Sequence, residues 1–142
     1  VMAKPGAPCR GAALGAALRG QGLKYGDMGI FHRLSVGKDA GKDGSDERLF
    51  SVANALEPGT FDLSDLEGLQ SPGLTFFMQL PVPGDALETL DDMVLSARTV
   101  AAALGGDVKD DTMSALTGQT IEHMKQRIAD YALKQLTATS DG

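Results

Sequence analysis

Three short segments of this sequence alternate in the manner of β-strands, and each has apolar side chains on both of its faces. The segments are GDMGIFHR at residues 26–33, RLFSVANAL at 48–56 and LTFFMQL at 74–80. Because neighbouring strand residues point to opposite sides of a sheet, Phe76 and Phe77 must lie on different faces. One layer of helices covers only one face, so the apolar residues of the other face need a different explanation.

Three further segments have the spacing of amphipathic helices. A short helix is predicted in RGAALGAALRGQG, with Gly22 as its cap and one face formed by Leu14, Ala17 and Leu18. Asp85 and Gly105 bound a longer helix, whose predicted apolar stripe comprises Leu87, Leu90, Val94, Ala97, Ala101 and Leu104. Thr117 caps a final helix, whose predicted stripe comprises Ile121, Met124, Ile128, Tyr131 and Leu136. Between these two helices, DVKDDTMSAL predicts a tight hairpin.

Strands and helices together predict the α+β class, an antiparallel sheet with helices on one side. The larger apolar set is expected to face the helices and comprises Phe31, Phe50, Val52, Leu56, Leu74, Phe76 and Met78. The opposite face would then hold Met28, Ile30, Ala53, Ala55 and Phe77, ringed by Ser51, Thr75 and Gln79. Such an apolar patch with a polar rim is typical of a partner-binding site. From the pattern alone, the explanation that a missing segment or a misassigned strand covers these residues is favoured over a partner site.

Charge and hydropathy exclude two classes of partner. The formal net charge of -6 argues against a general nucleic-acid or anionic-membrane binder. No apolar run approaches the ~20 residues that a membrane-spanning helix requires, so the chain as given is expected to be soluble. It begins VMAKPGAP without the layout of a signal peptide, and we expect it to be a fragment of a longer protein.

The residue types of most catalytic centres are scarce. With two histidines and one cysteine, the chain cannot form a Cys/His metal cluster of the usual kind, and no cofactor is predicted. Asp91 and Asp92 are adjacent on a helix and predict a solvated face, while His32 is expected to be structural or exposed. Cys9 is expected to be an inert thiol in a loop, and the acidic loop at 37–47 lacks the spacing of a calcium loop. We therefore predict no enzymatic activity.

The strings GDMGIFHR, LFSVANALEPGTFD and SPGLTFFMQLP, with the helix ending in ALGGDVKDD, resemble the C-terminal FtsZ-binding domains of the ZipA cell-division family. The similarity covers nearly the whole chain except the loop at 37–47. It implies one domain over residues 1–142 with a split β-α-β fold. In that fold an antiparallel sheet has three helices on one face and an open hydrophobic face on the other.

The resemblance also implies a partner and a groove. In the family, the C-terminal tail of FtsZ lies as a partly helical peptide in a shallow hydrophobic groove, without enzymatic chemistry or a cofactor. Carried over position by position, the groove is lined here by Met28, Ile30, Ala53, Ala55, Thr75 and Phe77. Phe77 is expected to be the central anchor, because a large rigid aromatic side chain commonly dominates such binding.

Three positions depart from the family pattern. Ala55 stands where the best-known members have a methionine, which predicts a wider and flatter groove. Glu57 and Met113 stand where two basic residues are expected at the rim. Charge steering of an acidic stretch of the tail is therefore not predicted, and Glu57 could instead meet a basic residue of the tail.

Family members also have an apolar strand before the position of Val1, a Pro/Gln-rich linker and an N-terminal membrane helix. We therefore expect attachment to the cytoplasmic side of the inner membrane, at the division site, to belong to the parent protein. Two alternatives stay open. One is a small α+β regulatory or enzymatic domain with a ligand on the same open face, and the other is a self-associating structural module that buries this face on dimerisation.

Overall fold

The computed structural model describes residues 1–3, 8–34, 48–56, 59–62, 69–80, 82, 84–110 and 112–140, with backbone only for residues 27 and 135–140. The predicted loop at 37–47 and Glu57 lie outside these residues. The strands are β1 (Cys9–Arg10), β2 (Lys24–Tyr25), β3 (Phe31–Leu34), β4 (Arg48–Asn54), β5 (Gln70–Ser71) and β6 (Leu74–Phe77). The helices are α1 (Gly11–Gly20), α2 (Ala86–Leu104) and α3 (Gly118–Ser140), and a 3-10 turn spans Asp27–Gly29. The α+β class is confirmed.

Four antiparallel strands form the main sheet in the order β2-β3-β4-β6. Val52 of β4 is paired with Phe31 on one side and with Phe76 on the other. Ser51, one residue earlier, is paired with His32 and Phe77. Directly paired residues share a face, so this register assigns Phe76 to one face and Phe77 to the other, as the sequence predicts. The separate two-stranded pair of β1 with β5 was not predicted.

The first three residues extend the hydrogen bonding beyond β6. The amide of Leu74 donates to the carbonyl oxygen of Val1 at 2.7 Å, and Met2 and Asp107 exchange two backbone hydrogen bonds of 2.7 and 2.8 Å. This close approach requires glycines on both sides of the segment. A Cβ atom at Gly73 would collide with the carbonyl oxygen of Val1, and one at Gly106 would lie 2.7 Å from that of Met2.

The core lies between one face of the sheet and the helices. Phe31, only 1% exposed, packs edge-on against Tyr25 and Phe61, with ring centroids 5.6 and 5.3 Å away. Phe50 packs against Phe76 in a tilted arrangement at 6.3 Å. The helices add buried apolar side chains to this core, among them Leu14, Leu18, Leu90, Met93, Ala97 and Val100. α2 contacts β4 and β6 and touches both other helices.

The predicted helix ends are confirmed. The Asp85 carboxylate accepts a hydrogen bond of 2.9 Å from the amide of Leu87, and Gly105 ends α2 with a left-handed φ of 69°. The predicted stripe of α2 was partly wrong, because Leu87 is exposed while Met93, Ser96 and Val100 are buried. Ser96 is buried where the Arg33 side chain of β3 reaches α2. The Arg33 guanidinium donates a hydrogen bond to the Ser96 hydroxyl, and its Nε atom lies 3.2 Å from the Asp92 carboxylate.

Four local predictions need correction. The predicted strand at 27–33 begins only at Phe31, because a 3-10 turn precedes it. Leu56, predicted in the core, is exposed because the Asn54 side chain accepts from its amide at 3.0 Å and so bends the chain after β4. Cys9, predicted in a loop, is buried in β1, where desolvation raises the pKa of its thiol. Asp92 is paired with Arg33 and does not simply belong to a solvated face.

Phe31→Ala is expected to lower the free energy of unfolding by about 3–5 kcal/mol, because it leaves a cavity between Tyr25 and Phe61. Tyr25→Phe is the matched control. It removes only the hydroxyl that donates to the carbonyl of Phe61 at 2.9 Å and should cost about 1 kcal/mol. Urea denaturation measures both, and a loss for Phe31→Ala no larger than that of the control would contradict this description of the core.

Candidate functional site

The face of the main sheet opposite the core, here called the open face, holds Ser51 and Ala53 of β4 and Thr75 and Phe77 of β6. Ser51 is paired with Phe77 and Ala53 with Thr75, so these four side chains form two adjoining rows. Ala55 continues the pairing beyond β4, since its amide donates to the carbonyl of Gly73 at 3.0 Å. Four of the predicted site residues therefore share one surface: Ala53, Ala55, Thr75 and Phe77.

Phe77 and Met28 line one depression of about 330 Å³, together with Arg48, Leu49, Phe50, Ser51, Met78, Gln79 and Leu80. The Phe77 ring is half-buried, whereas the Met28 side chain is 61% exposed. Met28 reaches this position from the 3-10 turn and not from a strand. The prediction that both residues belong to one surface rested on strand alternation, and the structure joins them through a turn.

Thr75 and Met113 line a second groove of about 410 Å³, which lies between β6 and the helices α2 and α3. Its walls are mainly apolar and include Met2, Phe76, Met93, Ala97, Val108, Leu116 and Met124. Met113 is 56% exposed at the mouth of this groove. The predicted site residues are thus divided between two depressions. Met28 and Phe77 line the first, whereas Thr75 and Met113 line the second, on the helix side of β6.

Ile30 departs from its predicted place. It is extended and precedes β3, but only 6% of its surface is exposed, so it adds little accessible area to the open face. Ala53 and Ala55 are half-buried and form a shallow part of the same face. Glu57 lies outside the described residues, so its position at the rim stays a prediction.

His32 and Ser51 form a buried pair in the row that also contains Phe77. The His32 Nδ1 atom lies 2.7 Å from the Ser51 hydroxyl oxygen, and both residues are buried. A nucleophilic serine must be reachable by substrate. This pair is enclosed, and its geometry fits the structural role predicted for His32. The contact between His32 and Ser51 joins β3 to β4 on the open side of the sheet.

A carboxylate organises the turn that presents Met113. One oxygen of Asp110 accepts from the amide and hydroxyl of Thr112, at 2.9 and 2.7 Å, and from the amide of Ser114 at 3.0 Å. The Thr112 hydroxyl and these amides hold the pKa of Asp110 below its ordinary value. Lys109 is bridged to Ala115, which confirms the predicted hairpin.

Met28 and Met113 have left-handed backbones, with φ of 63° and 65°, and are the only non-glycine residues with positive φ in the described part of the chain. Such a conformation costs roughly 1–2 kcal/mol for a residue with a Cβ atom and persists only where surrounding structure enforces it. This strain was not predicted, because methionine is not a residue type that favours the left-handed conformation. The one local signal is Gly29, which follows Met28. Both strained residues lie at the two depressions.

The remaining chemistry of the described residues is limited. Within them no group of three or more His, Cys, Asp and Glu side chains is placed to hold a metal ion. None of the helices in that part of the chain is both long and apolar enough to cross a membrane. The two depressions beside β6 offer apolar contact surface. The fold and this site define an α+β domain with an exposed apolar sheet face.

Comparison with known proteins identifies the family. The sequence profile described as "ZipA, C-terminal FtsZ-binding domain" matches residues 1–127, and the chain belongs to this family.

Similar proteins carry the name cell division protein ZipA. The one from Ectopseudomonas mendocina is 44% identical over 96% of this chain and 48% of its own length. Those from Azotobacter vinelandii and Marinobacter nauticus are each 43% identical, over 96% and 95% of this chain and over 46% and 38% of their own lengths. The chain therefore spans about half the length, or less, of the curated relatives it matches.

The Asp110 carboxylate should titrate below the ordinary aspartate pKa of about 3.9. Because the folded pKa is depressed, the stabilisation of the turn is fully present above the unfolded pKa and is lost as pH falls through the folded value. Amide chemical shifts of Thr112 and Ser114, followed from about pH 6 to about pH 2, measure this midpoint. Asp110→Asn should abolish the titration, and a midpoint at or above 3.9 in the parent would contradict the hydrogen-bonded turn.

Proposed function

We propose that this chain is a non-enzymatic peptide-binding domain that recognises the C-terminal tail of FtsZ. The family match supports this choice of partner. The single observation that carries the proposed site is the outward orientation of Phe77, which the pairing with Ser51 fixes on the face away from the core. We further propose that residues 1–142 act as one domain.

The proposed contact surface runs across β6. Thr75 and Phe77 are two residues apart on one strand face, which separates them by about 7 Å, close to the pitch of one helical turn. A helical peptide lying along this face can therefore direct successive apolar anchors at Phe77 and Thr75. Met28 flanks one end of the surface, and the small side chains of Ala53 and Ala55 keep it shallow. Met113 lies in the adjoining groove that Thr75 also lines.

Apolar contact is proposed to supply most of the affinity. Half-buried Phe77 and exposed Met28 lose further surface when a peptide covers them, and such burial contributes about 25 cal/mol per Å². Met113 replaces an expected basic residue at the rim, so long-range charge steering is weak. Binding should accordingly depend little on salt, unless Glu57 meets a basic residue of the tail.

For the longer parent protein, we propose that this recognition ties FtsZ filaments to the cytoplasmic face of the inner membrane during septum formation. The names of the relatives support a role in cell division. We propose that the membrane anchor belongs to another part of the parent protein. The domain's own contribution is the peptide contact.

Phe77→Ala is expected to weaken binding of a peptide of about 15 residues from the FtsZ C-terminus by roughly 2 kcal/mol, about 30-fold in Kd. Its fold should be unchanged, because the ring faces away from the core. Isothermal titration calorimetry gives the affinity, and circular dichroism checks the fold. Leu95→Ala is the matched control, since this α2 side chain is 64% exposed and lines neither depression, and it should leave binding unaltered.

Other outcomes of the same titration would reject the proposal. Equal affinities for parent and Phe77→Ala would mean that the peptide binds elsewhere. Absence of binding by a folded parent, together with a dimer in sedimentation equilibrium that Phe77→Ala dissociates, would favour self-association through the open face.

A further inference from the structure

The methionine side chains of this chain differ strongly in their exposure to solvent. Of the six, Met28 and Met113 are the exposed ones, at 61% and 56%. Met93 is buried, and Met2, Met78 and Met124 are half-buried, the last two against the core. Oxidation of a thioether requires access of the oxidant to sulfur, so Met28 and Met113 are expected to react first.

Each of these two residues lines a depression together with one residue of the proposed contact surface. Met28 shares a depression with Phe77, and Met113 shares a groove with Thr75. Both are also the strained left-handed positions of the described chain. Backbone strain of this kind concentrates at functional sites, so it supports a role for these side chains independently of their exposure.

We propose that Met28 and Met113 make this surface sensitive to peroxide: their oxidation to methionine sulfoxide weakens binding of the apolar peptide. The inference rests on the proposed function, because it concerns regulation of the same site. Neither sulfur belongs to the core, so the fold is retained while the contact surface changes.

The reaction is a two-electron oxidation by hydrogen peroxide. A lone pair of the thioether sulfur attacks one peroxide oxygen, the O–O bond breaks, and a sulfur–oxygen bond forms. The sulfur loses two electrons, and the second oxygen leaves as water after proton transfer from the oxygen bound to sulfur. The sulfoxide is polar, and covering it with an apolar peptide removes it from water without a hydrogen-bond partner.

The cysteine competes poorly for the oxidant. Cys9 is buried in β1, and desolvation raises the pKa of its thiol, which lowers the fraction of reactive thiolate. An exposed thioether reacts as a neutral group, so its oxidation does not require deprotonation. The order of modification is therefore a direct test of the accessibility argument.

The experiment treats the protein with hydrogen peroxide, maps the modified residues by peptide mass spectrometry and titrates the FtsZ-tail peptide before and after treatment. We expect sulfoxide at Met28 and Met113 before Met93, and an affinity reduced about tenfold with an unchanged thermal unfolding midpoint. Binding before treatment tests the proposed function, and the change after treatment tests this inference, so the two failures are distinguishable.

The double variant Met28→Leu with Met113→Leu is the matched control, because leucine preserves the apolar volume and cannot be oxidised. Its affinity for the peptide should be the same before and after peroxide treatment, because neither substituted position can form a sulfoxide. Unchanged affinity of the oxidised parent would overturn the inference. An equal loss in the oxidised double variant, or modification of Met93 ahead of the two exposed residues, would overturn it as well.

Discussion

The pairing of β4 with β6 is the constraint on which the rest of the structure depends. It places Val52 opposite Phe76 and Ser51 opposite Phe77. Because side chains alternate along a strand, a slip of one residue would turn Phe76 to the open face and Phe77 into the core. The register is supported from both sides of the sheet: Phe50 packs against Phe76 on the core side, and His32 is hydrogen-bonded to Ser51 on the open side.

The attachment of α2 to the sheet decides which face stays open. Arg33 of β3 is paired with Asp92, donates to the Ser96 hydroxyl and lies 5.7 Å from the centre of the Phe50 ring. These contacts bring α2 against the core face. The proposed peptide contact would use the apolar side chains of β6 and its neighbours on the opposite face, with Phe77 as the largest of them on β6.

Much of this could be predicted from the sequence, because the relevant signals are local and periodic. The capping residues Asp85 and Gly105, the two long helices and the opposite orientations of Phe76 and Phe77 all follow from short-range rules. The two-residue strands β1 and β5 have no periodicity to detect and depend on tertiary contacts. The left-handed turn at Met28 and the division of the site into two depressions are likewise set by packing around β6, which no local pattern encodes.

The central claim is that a peptide from the FtsZ C-terminus binds across β6 on the open face. The most direct test is a titration of that peptide into isotope-labelled protein, followed by backbone amide and methionine methyl chemical shifts. The largest chemical-shift changes are expected at Met28, Ser51, Thr75, Phe77 and Met113. The signals of Leu95 and Leu133, which are exposed on the helices, should stay unchanged. Shifts concentrated on the outer surfaces of α2 and α3, with none along β6, would contradict it.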